Sequence, residues 1–391
     1  ENMKKSKVIL SFLSFVLTSL LLVFVLSSEN FIGEETVNIS INGVSRSIQN
    51  FGNNILSFFD NNKENNVNPR VTNTNELVYI GGYPIGLKLY ADGVVIVGTE
   101  AVDTENGNVN TAEKAGLKIG DVIKRINGKT VKMNTEVSQA VENSNGEVLT
   151  FTVERNGETF AVSFETAYSV SEGKYKAGLW IRDSSAGIGT VTFATQDGYF
   201  ASLGHAVCDI DTKTCIPISS GECTIANITG FIKGVQGSAG ELCGYLENET
   251  IGKVYSNCDI GVYGEFDSIP QGQLYPIANE NEITQGKATV ITTCSSGDTA
   301  EYEIEIESVN LSAGDNKHLV LKVTDSNLIG KTGGIVQGMS GSPILQIGKI
   351  IGAVTHVFLN DATGGYGITA QTMLQNLNEI KLENEAIDNE Y

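Results

Sequence analysis

The chain has 391 residues, enough for two or three domains at about 100–200 residues each. Its 46 acidic and 26 basic side chains give a formal charge of −20, which excludes the basic surface that nucleic-acid phosphates require. With 41% hydrophobic residues it has the material for packed cores, which excludes a wholly disordered chain.

Residues 8–26 read VILSFLSFVLTSLLLVFVL, uncharged throughout and long enough for one bilayer span at about 20 residues. Lys4, Lys5 and Lys7 precede this stretch and no basic cluster follows it closely, so its amino end is expected to stay cytoplasmic and the rest to be exported. The competing reading is a cleaved signal peptide, although no A-x-A-like site stands out. Residues 1–26 are thus read as a cytoplasmic tip and transmembrane anchor. Residues 27–75, Asn-rich and weakly periodic, read as a juxtamembrane spacer open to nicking or self-cleavage.

Residues 76–167 form the next expected unit. Apolar strands surround a glycine turn in LVYIGGYPIGLKLYADGVVIVGT, a helical stretch TEVSQAVEN follows, and LTFTVERNGETFAVSF closes as a hairpin turning at Asn156-Gly157. Within it, AGLKIGDVIKRINGKTV resembles the most recognisable stretch of PDZ domains. That resemblance implies a peptide groove whose carboxylate loop and edge strand fall at Gly81, Gly82, Ile85 and Gly86, with TEVSQAVEN as the opposite wall. A glycine loop of backbone N–H groups suits a terminal carboxylate, and an extended peptide adds to a sheet edge. The ligand would be a substrate, a partner or the chain itself.

Residues 168–391 alternate short β-type runs with Gly, Asn and Asp turns, which points to an all-β sandwich or barrel pair, closed by a helix at 370–381. Six cysteines (Cys208, Cys215, Cys223, Cys243, Cys258, Cys294) lie here. Their spacing lacks the C-x-x-C of a zinc site, so no metal or cofactor is expected, and either disulfides or buried thiols fit.

Two segments carry chemistry. In QGMSGSPILQ, glycines flank Ser340 on a turn that would expose its hydroxyl and aim the N–H groups of Gly338 and Ser340 at a developing oxyanion. Ser342 is the competing nucleophile but lies outside the glycine frame. The segment resembles the G-x-S-G-x-P nucleophile turn of chymotrypsin-like peptidases, with Met339 where those enzymes carry the Asp of their zymogen switch. In FASLGHAVCDID, His205 ends an apolar strand upstream of the serine and is the candidate general base. A base needs a group that fixes its tautomer. Asp259 fits in order and spacing, Asp325 is close enough to the serine for one loop to deliver it, and Asp209 is too near His205 in sequence. His318, in a polar turn, is expected to be inert. His356 is expected beside the primary pocket, shaping specificity or simply packing.

The anchor, the PDZ-like unit, GHAV and KTGGIVQGMSGSPI together resemble the stage IV sporulation protein B family of serine peptidases. The resemblance implies export from a forespore and cleavage of a membrane-bound inhibitor complex, which activates intramembrane processing of a mother-cell sigma factor. It also implies self-cleavage. The expected fold is therefore mainly β: an N-terminal transmembrane helix, a PDZ-like domain and a chymotrypsin-like double β-barrel. Two other readings remain: a non-catalytic binding scaffold and a broad-specificity envelope quality-control protease.

Overall fold

The computed structural model describes residues 76–388 apart from 210, 214, 216, 296, 314 and 315. The expected anchor and spacer lie outside the described residues. No helix among the described residues is long and apolar enough to cross a membrane.

Strand β1 (Leu77–Ile80) passes through Gly81 and Gly82 into β2 (Pro84–Thr99). A small hairpin of β3 (Val102–Thr104) and β4 (Gly107–Val109) precedes helix α1 (Thr111–Lys114), which Asn110 caps by accepting from the Glu113 N–H. Then come β5 (Val122–Ile126), β6 (Lys129–Thr130) and α2 (Asn134–Glu142), the helix expected from TEVSQAVEN. The expected hairpin is β7 (Val148–Arg155) and β8 (Glu158–Glu165), and its Asn156 and Gly157 have φ of 53° and 80°, as a two-residue turn demands. Val94, Ile96, Leu117, Ile123, Val137, Val141, Phe151 and Val153 fill this unit's core.

After β9 (Ala167–Ser169) and β10 (Lys174–Lys176), β11 (Leu179–Ala194) runs the length of the 16-residue β2 as its antiparallel partner. At about 3.3 Å per residue this ribbon is roughly 50 Å long, more than one small barrel uses. It serves two bodies. Ile85 to Tyr90 pair on both sides, with β11 and with β13 (Ile218–Ile232), whereas Val94 and Val95 pair with Ile123 and Val122 of the PDZ-like unit. The change of sheet falls at Gly93, with φ of 121°, opposite a register shift between Arg182 and Ser184. The boundary expected at 76–167 is thus corrected. The PDZ-like unit is carried on the far half of the ribbon, from about Gly93 to Arg182, and the near half is peptidase barrel.

That barrel is a ring. β12 (Tyr199–Ser202), β14 (Glu241–Cys258) and β15 (Gly261–Phe266) complete it, with pairings β2–β11–β12–β15–β14–β13 returning to β2. Ile85, Leu87, Leu89, Val191, Phe200 and Val254 fill it. β16 (Leu274–Pro276) then pairs along β1.

A second, closed barrel has the order β17 (Gly286–Thr293), β18 (Thr299–Val309), β19 (Leu319–Val323), β22 (Asp361–Thr369), β21 (Lys349–Phe358) and β20 (Pro343–Gln346). β18 explains itself: in TAEYEIEIESV, Tyr302, Ile304 and Ile306 point inward and the alternating glutamates outward. Helix α3 (Ser326–Thr332) connects β19 to the serine turn. Helix α4 (Ala370–Asp388) extends beyond the expected 381 and sets Met373 and Leu377 against Phe193 of the first ring and Ile350 of the second. None of the six cysteines is in a disulfide.

Candidate active site

Ser340 lies in the turn entering β20. Gly338 and Gly341 on either side have φ of 96° and 94°. At 341 glycine is obligatory, because a Cβ would lie 2.1 Å from the Thr190 carbonyl oxygen and 2.5 Å from the Leu203 nitrogen. Through that close approach the serine turn of the second barrel meets the end of β12 in the first. Met339 N–H donates to Val336 O (3.1 Å), Gly341 N–H to Val354 O (2.8 Å) and Ser342 N–H to Met339 O (2.9 Å). Among the described residues, the N–H groups of Gly338 and Ser340 donate to nothing. Those are the two donors expected from the sequence. Ser342 is fully buried and its hydroxyl bonds that of Thr292 at 2.9 Å, so it faces the barrel interior and not a substrate.

His205 follows two successive left-handed residues, Leu203 (φ 65°) and Gly204 (φ 74°). A leucine there costs about 1 kcal/mol, offset by burial of its side chain and by its N–H bond to Thr190 O at 3.3 Å. This sharp turn swings the chain toward β21. A Cβ on Gly204 would lie 2.8 Å from Thr355 Cγ2, and the His205 ring packs 5.0 Å from the ring of exposed His356. Ser340 Oγ in turn donates to Thr355 O at 2.8 Å. Serine and histidine therefore border one seam, although among the described residues no hydrogen bond joins them.

His205 Nδ1 is 2.8 Å from Ala206 O. A carbonyl only accepts, so Nδ1 carries the proton and Nε2 the lone pair, the tautomer a general base needs. Burial pushes the imidazole below its ordinary value, and the Ala206 hydrogen bond opposes this in part.

Neither expected aspartate bonds His205. Asp259 is exposed in the turn between β14 and β15. Its backbone carbonyl, not its carboxylate, is linked to the site, accepting from Asn316 Nδ2, which also donates to Gly204 O at 3.4 Å. Asp325 caps α3, accepting from the N–H groups of Asn327 (2.8 Å) and Leu328 (3.1 Å). Burial would raise its pKa, but these backbone bonds hold it below the ordinary value. Asp209 is 3% exposed and bound by Arg182 Nη1, while Arg182 Nη2 reaches Asp211 at 2.9 Å. His318 is buried beside Thr369, not in an exposed polar turn, and burial lowers its pKa.

The expected peptide loop is corrected. Gly81 and Gly82 donate to Thr192 O and Val191 O of β11, and Ile85 is 1% exposed inside the first ring. A Cβ on Gly81 would meet Val191 O at 2.0 Å, and one on Gly86 would meet Thr224 Oγ1 at 2.4 Å. These glycines permit dense barrel packing. The cleft bordering α2 lies elsewhere: Val137, Ser138 and Val141 face Ala177, Gly178, Leu179 and Ile181 across about 110 Å³. Its strand is the start of β11, at the carboxy-terminal end of the PDZ-like unit, and the overlooked signal is KYKAGLWI, with Gly178 at φ 71°. Also missed were Thr190 and Thr192, two apart on β11 and so on one face, whose hydroxyls donate to Gly338 O and Gly341 O, each at 2.8 Å. Among the described residues no cluster of His, Cys, Asp or Glu could hold a metal ion.

The SpoIVB peptidase S55 family matches residues 173–374, more than half of the chain, and the PDZ domain family matches residues 111–155. Among solved structures, the Rv3671c protease from M. tuberculosis in its active form is 15% identical over 50% of this chain and 74% of that one, with a TM-score of 0.31. The HtrA-type protease AlgW with a decapeptide is 12% identical over 51% of this chain and 54% of its own, with a TM-score of 0.31. The PDZ domain of the SdrC-like protein from Listeria monocytogenes is 16% identical over 23% of this chain and 87% of that one, with a TM-score of 0.19. The chain belongs to the SpoIVB peptidase S55 family and is a serine endopeptidase with a PDZ domain.

Proposed function

We propose that Ser340 is the nucleophile and His205 its general base. The carrying observation is the seam between the barrels, where the Ser340 turn packs at Gly341 against Leu203, two residues before His205, and two backbone N–H groups stand without a partner among the described residues. Attack requires Ser340 Oγ to turn from Thr355 O toward His205 Nε2, which takes the proton as oxygen bonds to the scissile carbonyl carbon. The negative oxygen is received by the N–H groups of Gly338 and Ser340. His205 then protonates the departing amine, and water releases the acyl group by the same route.

The cleft between α2 and residues 177–181 suits capture of an extended peptide from a substrate, a partner or this chain, since α2 supplies apolar side chains and a strand edge lies opposite. In keeping with its family, the protein acts in sporulation signalling. Anchored by residues 8–26 and exported between the forespore and mother-cell membranes, it cleaves the exposed part of a membrane-bound regulatory complex, and itself. The intramembrane protease so released processes a mother-cell sigma factor.

A fluorophosphonate added to the full-length protein tests the chemistry. Label mapped to Ser340 and abolished by Ser340→Ala and His205→Gln is expected. A folded wild-type protein that takes no label would favour the scaffold reading. A preference for unfolded proteins in a substrate panel would overturn the signalling role in favour of quality control.

A further inference from the structure

The peptide planes around Ser340 are fixed from outside the turn. Gln337 O accepts from Leu242 N–H at 2.8 Å, which fixes the plane carrying the Gly338 N–H. Gly338 O accepts from Thr190 Oγ1 at 2.8 Å, and Ser340 O accepts from Thr190 N–H at 3.2 Å. The one peptide between those two pinned carbonyls is Met339–Ser340, which carries the Ser340 N–H and whose own carbonyl accepts from Ser342 N–H at 2.9 Å within the turn. Thr190 O also accepts from Leu203 N–H at 3.3 Å, two residues before His205. Thr190 is 2% exposed, so water does not compete for these bonds.

We infer that Thr190 is a positioning residue for this peptidase: its hydroxyl and N–H clamp the turn on both sides of the Ser340 amide, aiming that N–H at the developing oxyanion. This rests on Ser340 being the nucleophile. Thr190 touches neither substrate nor reacting atom. Without its hydroxyl, Gly338 O loses a buried donor and the plane between residues 338 and 339 keeps only the Met339 N–H bond to Val336 O at 3.1 Å. A small misdirection matters, because an oxyanion donor is worth about 10²–10³ in rate only when it points at the charged oxygen.

Fluorophosphonate labelling reads this directly. Ser340 Oγ bonds to phosphorus, fluoride leaves, the serine proton passes to His205, and the phosphoryl oxygen occupies the oxyanion position. In the full-length protein, Thr190→Val keeps the branched shape and removes the hydroxyl, whereas Thr190→Ser keeps the hydroxyl. The expected result is a maximal labelling rate lowered about 10–100-fold in the valine variant, with half-saturating probe concentration within twofold, and near-complete rescue by serine. Melting temperatures show that each variant is folded. An unchanged rate in Thr190→Val overturns the inference, as does a serine variant as slow as the valine one or a loss confined to half-saturation. Label on a serine other than Ser340 in the wild type would instead overturn the nucleophile assignment, so the two failures are distinguishable.

Discussion

Ser340 donates its hydroxyl hydrogen to the carbonyl of Thr355 at 2.8 Å, and His205 lies across the seam with its Nδ1 proton held by its own neighbour, Ala206. The proposed nucleophile and base are each bonded to the main chain and not to the other. Catalytic hydrogen bonds in substrate-free enzymes often tighten only on binding.

The pH dependence follows from burial of His205. Its imidazolium is disfavoured, so the ring stays neutral to below its ordinary value of about 6.5. Labelling of Ser340 is expected to be flat near neutrality and to fall with a midpoint below that value. Because the folded pKa is depressed, the stability tied to neutral His205 is whole above about 6.5 and is lost as pH falls through the folded pKa. His318 shifts the same way, so melting curves of wild type and His205→Gln must be compared across pH 4–8; a labelling midpoint above 6.5 would contradict the burial argument.

Asp325 separates capping from catalysis. Asparagine caps a helix about as well as aspartate, whereas alanine forfeits about 1 kcal/mol. Asp325→Asn is therefore expected to keep wild-type stability and most of its labelling rate, and Asp325→Ala to lower the melting temperature. If asparagine cut the rate by orders of magnitude in a stably folded protein, the carboxylate would be acting on His205. Asp259→Asn, tied to the site through its backbone, is expected to stay within a fewfold of wild type.

Ser342 and Ser340 should differ cleanly. Ser342→Ala removes a buried bond to Thr292 and is expected to cost about 1 kcal/mol while retaining fluorophosphonate labelling. Labelling lost in Ser342→Ala but kept in Ser340→Ala would reverse the assignment.

The relocated cleft makes opposite demands on two regions. Gly86→Ala forces a methyl to within 2.4 Å of Thr224 Oγ1 and should cost about 1–3 kcal/mol while sparing peptide binding. Val141→Asp, at the border of the cleft, should weaken retention on an array of peptides with free carboxyl termini and leave Ser340 labelling intact. Peptide retention that survives Val141→Asp and fails in folded Gly86→Ala would restore the groove to the barrel glycines.

How much was legible depended on the range of each interaction. The Asn156-Gly157 hairpin, the alternating β18, helix α2 and the glycine frame of Ser340 are local patterns, and each is where its residues implied. The glycines at 81, 82 and 86 misled because a glycine turn looks alike whether it receives a carboxylate or the carbonyl of a strand more than a hundred residues away.

The sequence by itself determined the strand periods, the glycine-flanked serine turn, and the order of histidine before serine, because these rest on backbone angles and neighbouring side chains. Only the tertiary structure decided that β2 and β11 serve two bodies at once, that the start of β11 borders α2, and that Thr190 bonds the serine turn at Gly338 O and Ser340 O. It also assigned the Asp325 carboxylate to a helix cap. Those outcomes depend on which strands pair and which carbonyls they bring within hydrogen-bonding distance, and that is fixed by closing the two barrels against each other.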